Sequence, residues 1–537
     1  MNSYKVKVDY FRYILDKEEK VCWCYDVADR RKIYSTLKIP ENIKYQGDTY
    51  KVIGLDDYGF YETKVRGLIL PESIESIGIS CCAGSYYLEK VTIPASCKVI
   101  EGSSFIKCIK LGKVIFKGNP EKIDIRMFAF SETEYIRRLK EEQDKTTNNE
   151  GGYIGKNLVT VSCKTEELHI RPNTDNVYIT RTDGHILELK SIYFPKGLKN
   201  VELDIVGIKN HNISAHFEDI NDLLNCHFNK TLIIFSKLYI GDKEIDHLDL
   251  PKDTKIMDFS TLVYFCQIQK LKLNPELETI LGDGFYSKGY KYIDNLYLPS
   301  SLKFISYNSF YKTSIKFFSS RYSTLNKLAT FLNYSDIKAE TLTIYIDEVN
   351  DGMFCYLNKL LSKCFNIHLI PIKKFSPKEL YKILTELTTY TTKGSDRGII
   401  LDEDFLEIDA ENSGCLVTDR IFVNEAYFKD FKSHKYWSKS KELIKIPDKN
   451  GYVINSVNNN TCSLCFRLDK YNNNDYTGII KIPKKTMIDN ELYKVTGISS
   501  FAFTDCHYLE EVVISSELSI NDLAFEDSYE NIKITKL

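Results

Sequence analysis

Apolar residues along this chain fall in short alternating runs, and many of the runs end at proline. Examples are Leu68-Ile69-Leu70-Pro71, Val91-Thr92-Ile93-Pro94, Ile192-Tyr193-Phe194-Pro195, Leu248-Asp249-Leu250-Pro251 and Leu296-Tyr297-Leu298-Pro299, with Val114-Ile115-Phe116 as a variant. Alternation of this kind predicts strands that send one set of side chains inward and the other outward. Proline cannot donate to the ladder, so it ends each strand. Isoleucines at Ile77, Ile100 and Ile123 repeat at a step of 23 residues, and Cys82, Phe105 and Phe128 follow each by five. The pattern continues as Ile280 with Phe285, Ile305 with Phe310, Ile498 with Phe503 and Ile520 with Phe525. A unit of one strand and a return path is too small to bury its own apolar face, so units must stack. The pattern therefore predicts an α/β repeat solenoid of stacked parallel strands, with the aligned Phe side chains as an inner spine.

A longer repeat encloses the short one. Tyr50-Lys51-Val52-Ile53-Gly54-Leu55 and Phe60 return as Tyr493-Lys494-Val495-Thr496-Gly497-Ile498 and Phe503, an offset of 493 − 50 = 443. The same offset carries Pro40 to Pro483, Ile77 to Ile520 and Cys22 to Cys465. Residues 1-50 read as a β-rich leader that caps the first coil, with Val21, Trp23 and Tyr25 on one face of an alternating strand. Residues 51-140 carry the clearest repeats, ending in a short helix from Glu134, and the polar stretch to Gly152 is a joint. Residues 153-447 form a more divergent array with a closing unit at 420-447, and residues 452-537 hold a second leader and about two repeats.

Between 320 and 400 the apolar period lengthens. Leu325, Leu328 and Leu332 fit one helix face, as do Leu357, Leu360, Leu361 and Cys364. Ser376-Pro377-Lys378-Glu379 has the form of a capping box ahead of Leu380, Ile383, Leu384 and Leu387. These helices are expected on the convex side of the coils.

The repeats resemble the BspA-like leucine-rich repeats. The nearest match is Ile498-Ser-Ser-Phe-Ala502-Phe503-Thr-Asp-Cys506-His-Tyr-Leu509-Glu-Glu-Val512. Ile39-Pro40 with Tyr50-Lys51-Val52, and Ile482-Pro483 with Tyr493-Lys494-Val495, resemble that family's leaders. Ile421-Phe422-Val423-Asn424, Phe431 and Tyr436-Trp437 resemble its closing unit. The resemblance implies recognition of a partner by the repeat surface and no catalysis, and many such proteins are displayed on cell surfaces.

Charge adds a constraint. The 72 basic and 74 acidic residues nearly cancel, and no basic stripe marks a nucleic-acid partner. No run is long and apolar enough for a signal core or a membrane span, so membrane insertion is not expected. The chain as written reads as cytoplasmic, or as surface-displayed or secreted if a leader has been removed. Fifteen cysteines show no paired framework; Cys82, Cys108 and Cys506 read as small buried fillers.

Candidate chemistry is sparse, and no cofactor is expected. Cys462-Ser-Leu-Cys465 has the spacing of half a zinc site, and His211, His216, Cys226 and His227 lie close in sequence. A strand filler and surface histidines account for them. Asp242, Glu244, Asp246 and Asp249, and likewise Asp402, Glu403, Asp404 and Glu407, read as solvated edges. What remains is surface. The outward positions of the expected concave sheet are Ile69, Thr92, Ile115, Tyr193, Glu202, Asp249, Lys272, Tyr297, Tyr345 and Val513. The function expected is non-catalytic recognition of a protein or surface glycan along that face by a monomer. The alternative is a structural protein that assembles through its open C-terminal strand edge. The tail after Tyr452 is expected to pack back on the closing unit around Trp437.

Overall fold

The computed structural model describes residues 4–537 except 28–33, 146–148, 163, 180–187, 204–211, 229–234, 266–267, 283–290, 311–312, 335–336, 391–397, 409–419, 440–441, 447–451, 466–475, 505, 527 and 529. Phe285 and His211 lie outside the described residues. The chain divides into two compact units, Met1–Glu244 and Ile245–Leu537; the boundary falls within the stretch expected as one array.

In the first unit each clear repeat gives one strand to each of two parallel sheets. Tyr4–Val8, Phe11–Asp16 and Val21–Val27 form an antiparallel leader. Asp48–Leu55 then adds in parallel, followed by Ser76–Ile77, Val99–Ile100 and Asp124–Ile125. The second sheet stacks Thr36–Lys38, Gly67–Ile69, Lys90–Ile93 and Lys113–Phe116. Alternation in the leader strand holds, but the inner face belongs to Cys22 and Cys24, both fully buried, while Val21, Trp23 and Tyr25 are partly open. Burial pushes the Cys22 thiol up to about 12, as expected of an inert filler.

Register shifts one sequence expectation. Ile100 pairs with Ile125, not with Ile123, so this step is 25 residues. The extra length is a 3₁₀ turn at Pro120–Lys122, capped by Asn119. The inner spine is therefore Phe60, Cys82, Phe105 and Phe130, all buried. Phe130, not Phe128, stacks on Phe105 at 5.1 Å and 9°. Phe128 takes the corner two residues earlier, with φ 58°, where Tyr58, Ser80 and Ser103 have the same left-handed backbone.

Two further sheets complete the first unit. One stacks Asn157–Thr160, Asn176–Ile179, Asn200–Leu203 and His227–Phe228. The other stacks Glu167–His169, Ser191–Phe194, Ile213–Phe217 and Phe235–Ile240.

The second unit is built on a nine-stranded sheet: His247–Asp249, Lys270–Lys272, Lys291–Leu298, Thr313–Arg321, Lys338–Ile346, Cys364–Pro371, Gly398–Leu401, Arg420–Asn424 and Glu442–Ile446. Helices fill the return paths after several strands: Tyr322–Lys327, Ala329–Tyr334, Asn358–Ser362 and Pro377–Tyr390. Leu325, Leu328 and Leu332 are buried as expected, whereas Cys364 opens a strand. The capping box forms: the Ser376 amide donates to the Glu379 carboxylate at 2.7 Å, and the Glu379 amide donates back to Ser376 Oγ at 3.3 Å. Trp437 is buried, its indole donating to the Phe405 carbonyl at 2.9 Å.

Residues from Tyr452 onward form a module with its own core of Cys462, Leu464, Phe503, Cys506, Leu509, Val512 and neighbours. Cys462 pairs with Val495 as Cys22 pairs with Val52, so Cys462, rather than Cys465, is the counterpart of Cys22. One sheet of the module orders Thr477–Lys481, Tyr508–Ile514 and Lys533–Lys536. Its last strand carries Lys533 and Lys536, charges that discourage edge-to-edge pairing.

The spine fixes a stability ranking. Phe105→Ala and Phe130→Ala are each expected to lower unfolding stability by about 3–5 kcal/mol, the range for truncating a buried Phe. Phe128→Ala, at a partly open corner, is expected to cost well under half as much. Urea unfolding midpoints of the three variants give the comparison.

Candidate functional site

Outward-facing residues line up in rows because the strands are parallel and in register. In the first unit one row reads Lys38, Ile69, Thr92, Ile115. Ile69 is 39% exposed, and Thr92 and Ile115 are partly open. A second row, in another sheet, reads His169, Tyr193, His216, Tyr239. Its rings stack in sequence at 4.1, 4.3 and 4.4 Å with interplanar angles of 6°, 20° and 4°. Such spacing follows from the strand separation of a sheet, which sets equivalent rings on neighbouring strands against one another. The stacked faces cover one another, so the row presents edges: imidazole nitrogens and phenol hydroxyls. His216 Nε2 lies 2.9 Å from Ser214 Oγ, and Tyr239 donates to Glu244 at 2.9 Å. Burial lowers the His216 pKa. Glu202 does not belong to this surface. Its strand pairs in a different sheet, where it is 2% exposed.

In the second unit the row reads Asp249, Lys272, Tyr297, with Tyr345 two positions along on the same face. This face is covered. Tyr297 is 5% exposed and packs with Ile372, Ile479 and Val513 in a small cluster to which Tyr345, Ile370 and Leu537 add. Ile479 and Val513 come from the C-terminal module. Every residue of Tyr508–Ile514 is buried, because one side of this strand serves the module's core and the other the sheet. The tail does pack back, but on the outward sheet face rather than around Trp437, which Phe431 and Tyr436 cover from within its own unit.

Charge organises the contact. Lys481 reaches between Asp402 and Asp404 and bonds both; its side chain is 8% exposed. The Lys484 amide donates to Glu403 at 3.3 Å, and the Lys485 amide donates to the Tyr427 hydroxyl at 3.0 Å. Lys485 also pairs with Asp430. At the other end the polarity reverses. Arg321 pairs with Glu511, while Glu510 accepts from the Tyr297 hydroxyl at 2.8 Å and the Ser300 amide at 3.0 Å. Tyr508 donates to the Leu250 carbonyl at 3.1 Å. The acidic run at 402–404, expected as a solvated edge, is thus a lysine socket.

Comparison with known proteins places these repeats. The model of the BspA-type leucine-rich repeat region matches six copies across residues 35–149, 187–316, 260–380 and 444–536, well over half of the chain. The chain belongs to the BspA-type leucine-rich repeat family. No curated protein matches it in sequence. Among solved structures, a leucine-rich repeat protein from Bacteroides ovatus is 14% identical over 98% of this chain and 92% of that one, with a TM-score of 0.25. A leucine-rich cell surface protein from Faecalibacterium prausnitzii is 11% identical over 66% of this chain and 97% of that one, with a TM-score of 0.23. The pneumococcal vaccine antigen PcpA is 13% identical over 83% and 99% of the two chains, with a TM-score of 0.28.

The minor candidates of this BspA-type chain do not converge. Cys226 is buried at the start of His227–Phe228, a strand in a different sheet from His216. Cys462 is a buried strand filler. Among the described residues no cluster of three or more His, Cys, Asp or Glu could hold a metal, and no helix is long and apolar enough to cross a membrane.

Burial and neighbours set the charge states of the socket. Burial alone would lower the Lys481 pKa, but Asp402, Asp404 and Glu403 outweigh it and hold the ammonium charged. Burial, with Asp402 beside it, lifts Glu403 to about 7. Burial raises Asp404 too, partly offset by Lys481.

Two outcomes follow from this geometry. Because the folded pKa of Glu403 is raised from 4.5 to about 7, its contribution to stability is full below 4.5 and lost as pH rises through about 7. Glu403→Gln removes that loss, so its stability relative to the parent should rise between pH 5.5 and 8.5 by up to about 2 kcal/mol. Urea titrations at the two pH values measure it. Gly478 has φ +71°, and a Cβ there would sit 2.3 Å from the Tyr297 ring. Gly478→Ala should therefore lift the module, opening the Tyr297 ring to hydroxyl-radical modification while the amides of the Lys338–Ile346 strand stay protected.

Proposed function

We propose that this BspA-type protein is a non-catalytic recognition scaffold whose working surface is the outward face of the first unit. The ligand class is a protein or a surface glycan. The observation that supports this most is the His169–Tyr193–His216–Tyr239 row, four rings stacked along the outward side of one sheet. Stacking fixes the rings before any partner arrives, so little side-chain entropy is lost on binding. Tyrosine combines contact area with a polar tip, the property that enriches it at interfaces. The Lys38–Ile69–Thr92–Ile115 row adds an aliphatic surface bordered by a charge. On this reading Tyr297, Tyr345 and Val513 belong to an internal contact, and Ile69, Thr92, Ile115 and Tyr193 to the external one.

The test is a comparative pull-down from host or environmental extract with the parent protein and Tyr193→Ala/His216→Ala. The double variant should retain the parent's melting temperature within a few degrees and lose the captured species. Equal capture by both proteins would remove the ring row from the binding surface.

A further inference from the structure

The contact between the C-terminal module and the nine-stranded sheet has features of an interaction, not of a core. The module closes its own hydrophobic core without any residue of the array. Among the described residues no strand of the module pairs with a strand of that sheet. The hydrogen bonds across it each use at least one side chain. Among the described residues its buried apolar centre is the small cluster of Tyr297, Ile372, Ile479 and Val513, with Tyr345, Ile370 and Leu537 packed against it. Small apolar centres ringed by charge are typical of contacts that open and close.

Its charges are arranged with a polarity. The sheet offers Asp402, Asp404 and Asp430 at one end and Arg321 at the other; the module offers Lys481 and Lys485, then Glu511. Such an arrangement fixes one docking register and rejects the reverse. The first copy of the module, at the start of the chain, shows what is particular to the second. Lys38 and Ile69 stand where Lys481 and Val513 stand, yet Lys38 is exposed and Ile69 is 39% exposed. The offset is 481 − 38 = 443 at the first position and 513 − 69 = 444 at the second. The added residue sits where the register slips between Gly478 and Ile479: Leu509 and Glu511 are paired and Glu510 is the bulge. That bulge residue receives Tyr297 and Ser300. Bulges re-aim side chains; this one makes the second copy a mate for the sheet.

We propose that the module and the sheet face are a complementary pair that closes within one chain and also docks between chains, the partner being a second copy of this protein. Each copy carries one face and one module, so two open copies satisfy both contacts reciprocally. Closure within the chain is favoured by the high effective concentration of a tethered module. Exchange between copies is the domain-swapped form of the same contact.

A charge exchange in full-length chains tests this. One variant carries Lys481→Asp and the other Asp402→Lys with Asp404→Lys. Each alone sets like charges together and should be a monomer in which the Tyr297 and Tyr508 rings become reactive to hydroxyl radicals. Mixed one to one, the two restore one inverted and one original pair, and light scattering should show dimers about tenfold above either variant alone. A mixture whose mass distribution equals that of the separate variants overturns the proposal. So does a variant whose Tyr297 and Tyr508 rings stay as protected from radicals as in the parent. Loss of amide protection in the Lys338–Ile346 strand or the Glu491–Ile498 strand also overturns it, because both bodies must hold without the contact.

Discussion

Parallel strands in register are the constraint on which this protein is built. A repeat of one short strand and a return path cannot cover its own apolar side, so stability comes from neighbours. In register, equivalent positions sit one strand spacing apart, and a residue type that recurs becomes a column. Inward, that rule gives Phe60, Cys82, Phe105 and Phe130, and an amide ladder in which Asn176 donates to Asn157 at 2.7 Å and Asn200 to Asn176 at 2.8 Å. Outward, it gives the His169–Tyr193–His216–Tyr239 column. The same geometry that satisfies the core also organises the surface.

The two units use that surface differently. In the first, the outward rows remain accessible. In the second, a sheet from the C-terminal module lies on the outward face and brings a lysine into a carboxylate socket. Buried ion pairs add little net stability over apolar packing, but breaking one leaves an uncompensated charge. Lys481 with Asp402 and Asp404, and Arg321 with Glu511, therefore act chiefly to fix where the module sits. Tyr297, an outward aromatic by sequence, is spent on that contact: burial and the neighbouring Glu510 raise its pKa and keep the phenol a donor.

Much of the architecture was legible because strand alternation and repeat spacing are local signals. The Pro-terminated strands and the Ser376–Glu379 capping box follow from such signals. Errors arose where length varied between fixed points. A turn at Pro120–Lys122 moved the spine from Phe128 to Phe130. A longer connection in the second leader, 495 − 462 = 33 residues against 52 − 22 = 30, made Cys462, rather than Cys465, the counterpart of Cys22. Glu202 alternates like its neighbours, but periodicity does not say which of two sheets a strand joins. The lysine socket joins residues 77 and 79 apart in sequence, and face-to-face packing leaves no periodic trace. Its one written sign is the change of offset from 443 to 444 that inserts Glu510.

Tyrosine footprinting of the intact protein addresses the central claim directly, because both kinds of face carry a tyrosine at an equivalent outward position. Hydroxyl radicals followed by peptide mass spectrometry report the reactivity of each ring edge. Tyr193 and Tyr239 should be modified readily, while Tyr297 and Tyr508 stay protected under the module. Modification of Tyr297 at a rate equal to that of Tyr193 would contradict the account, since the second unit's face would then be as open as the first.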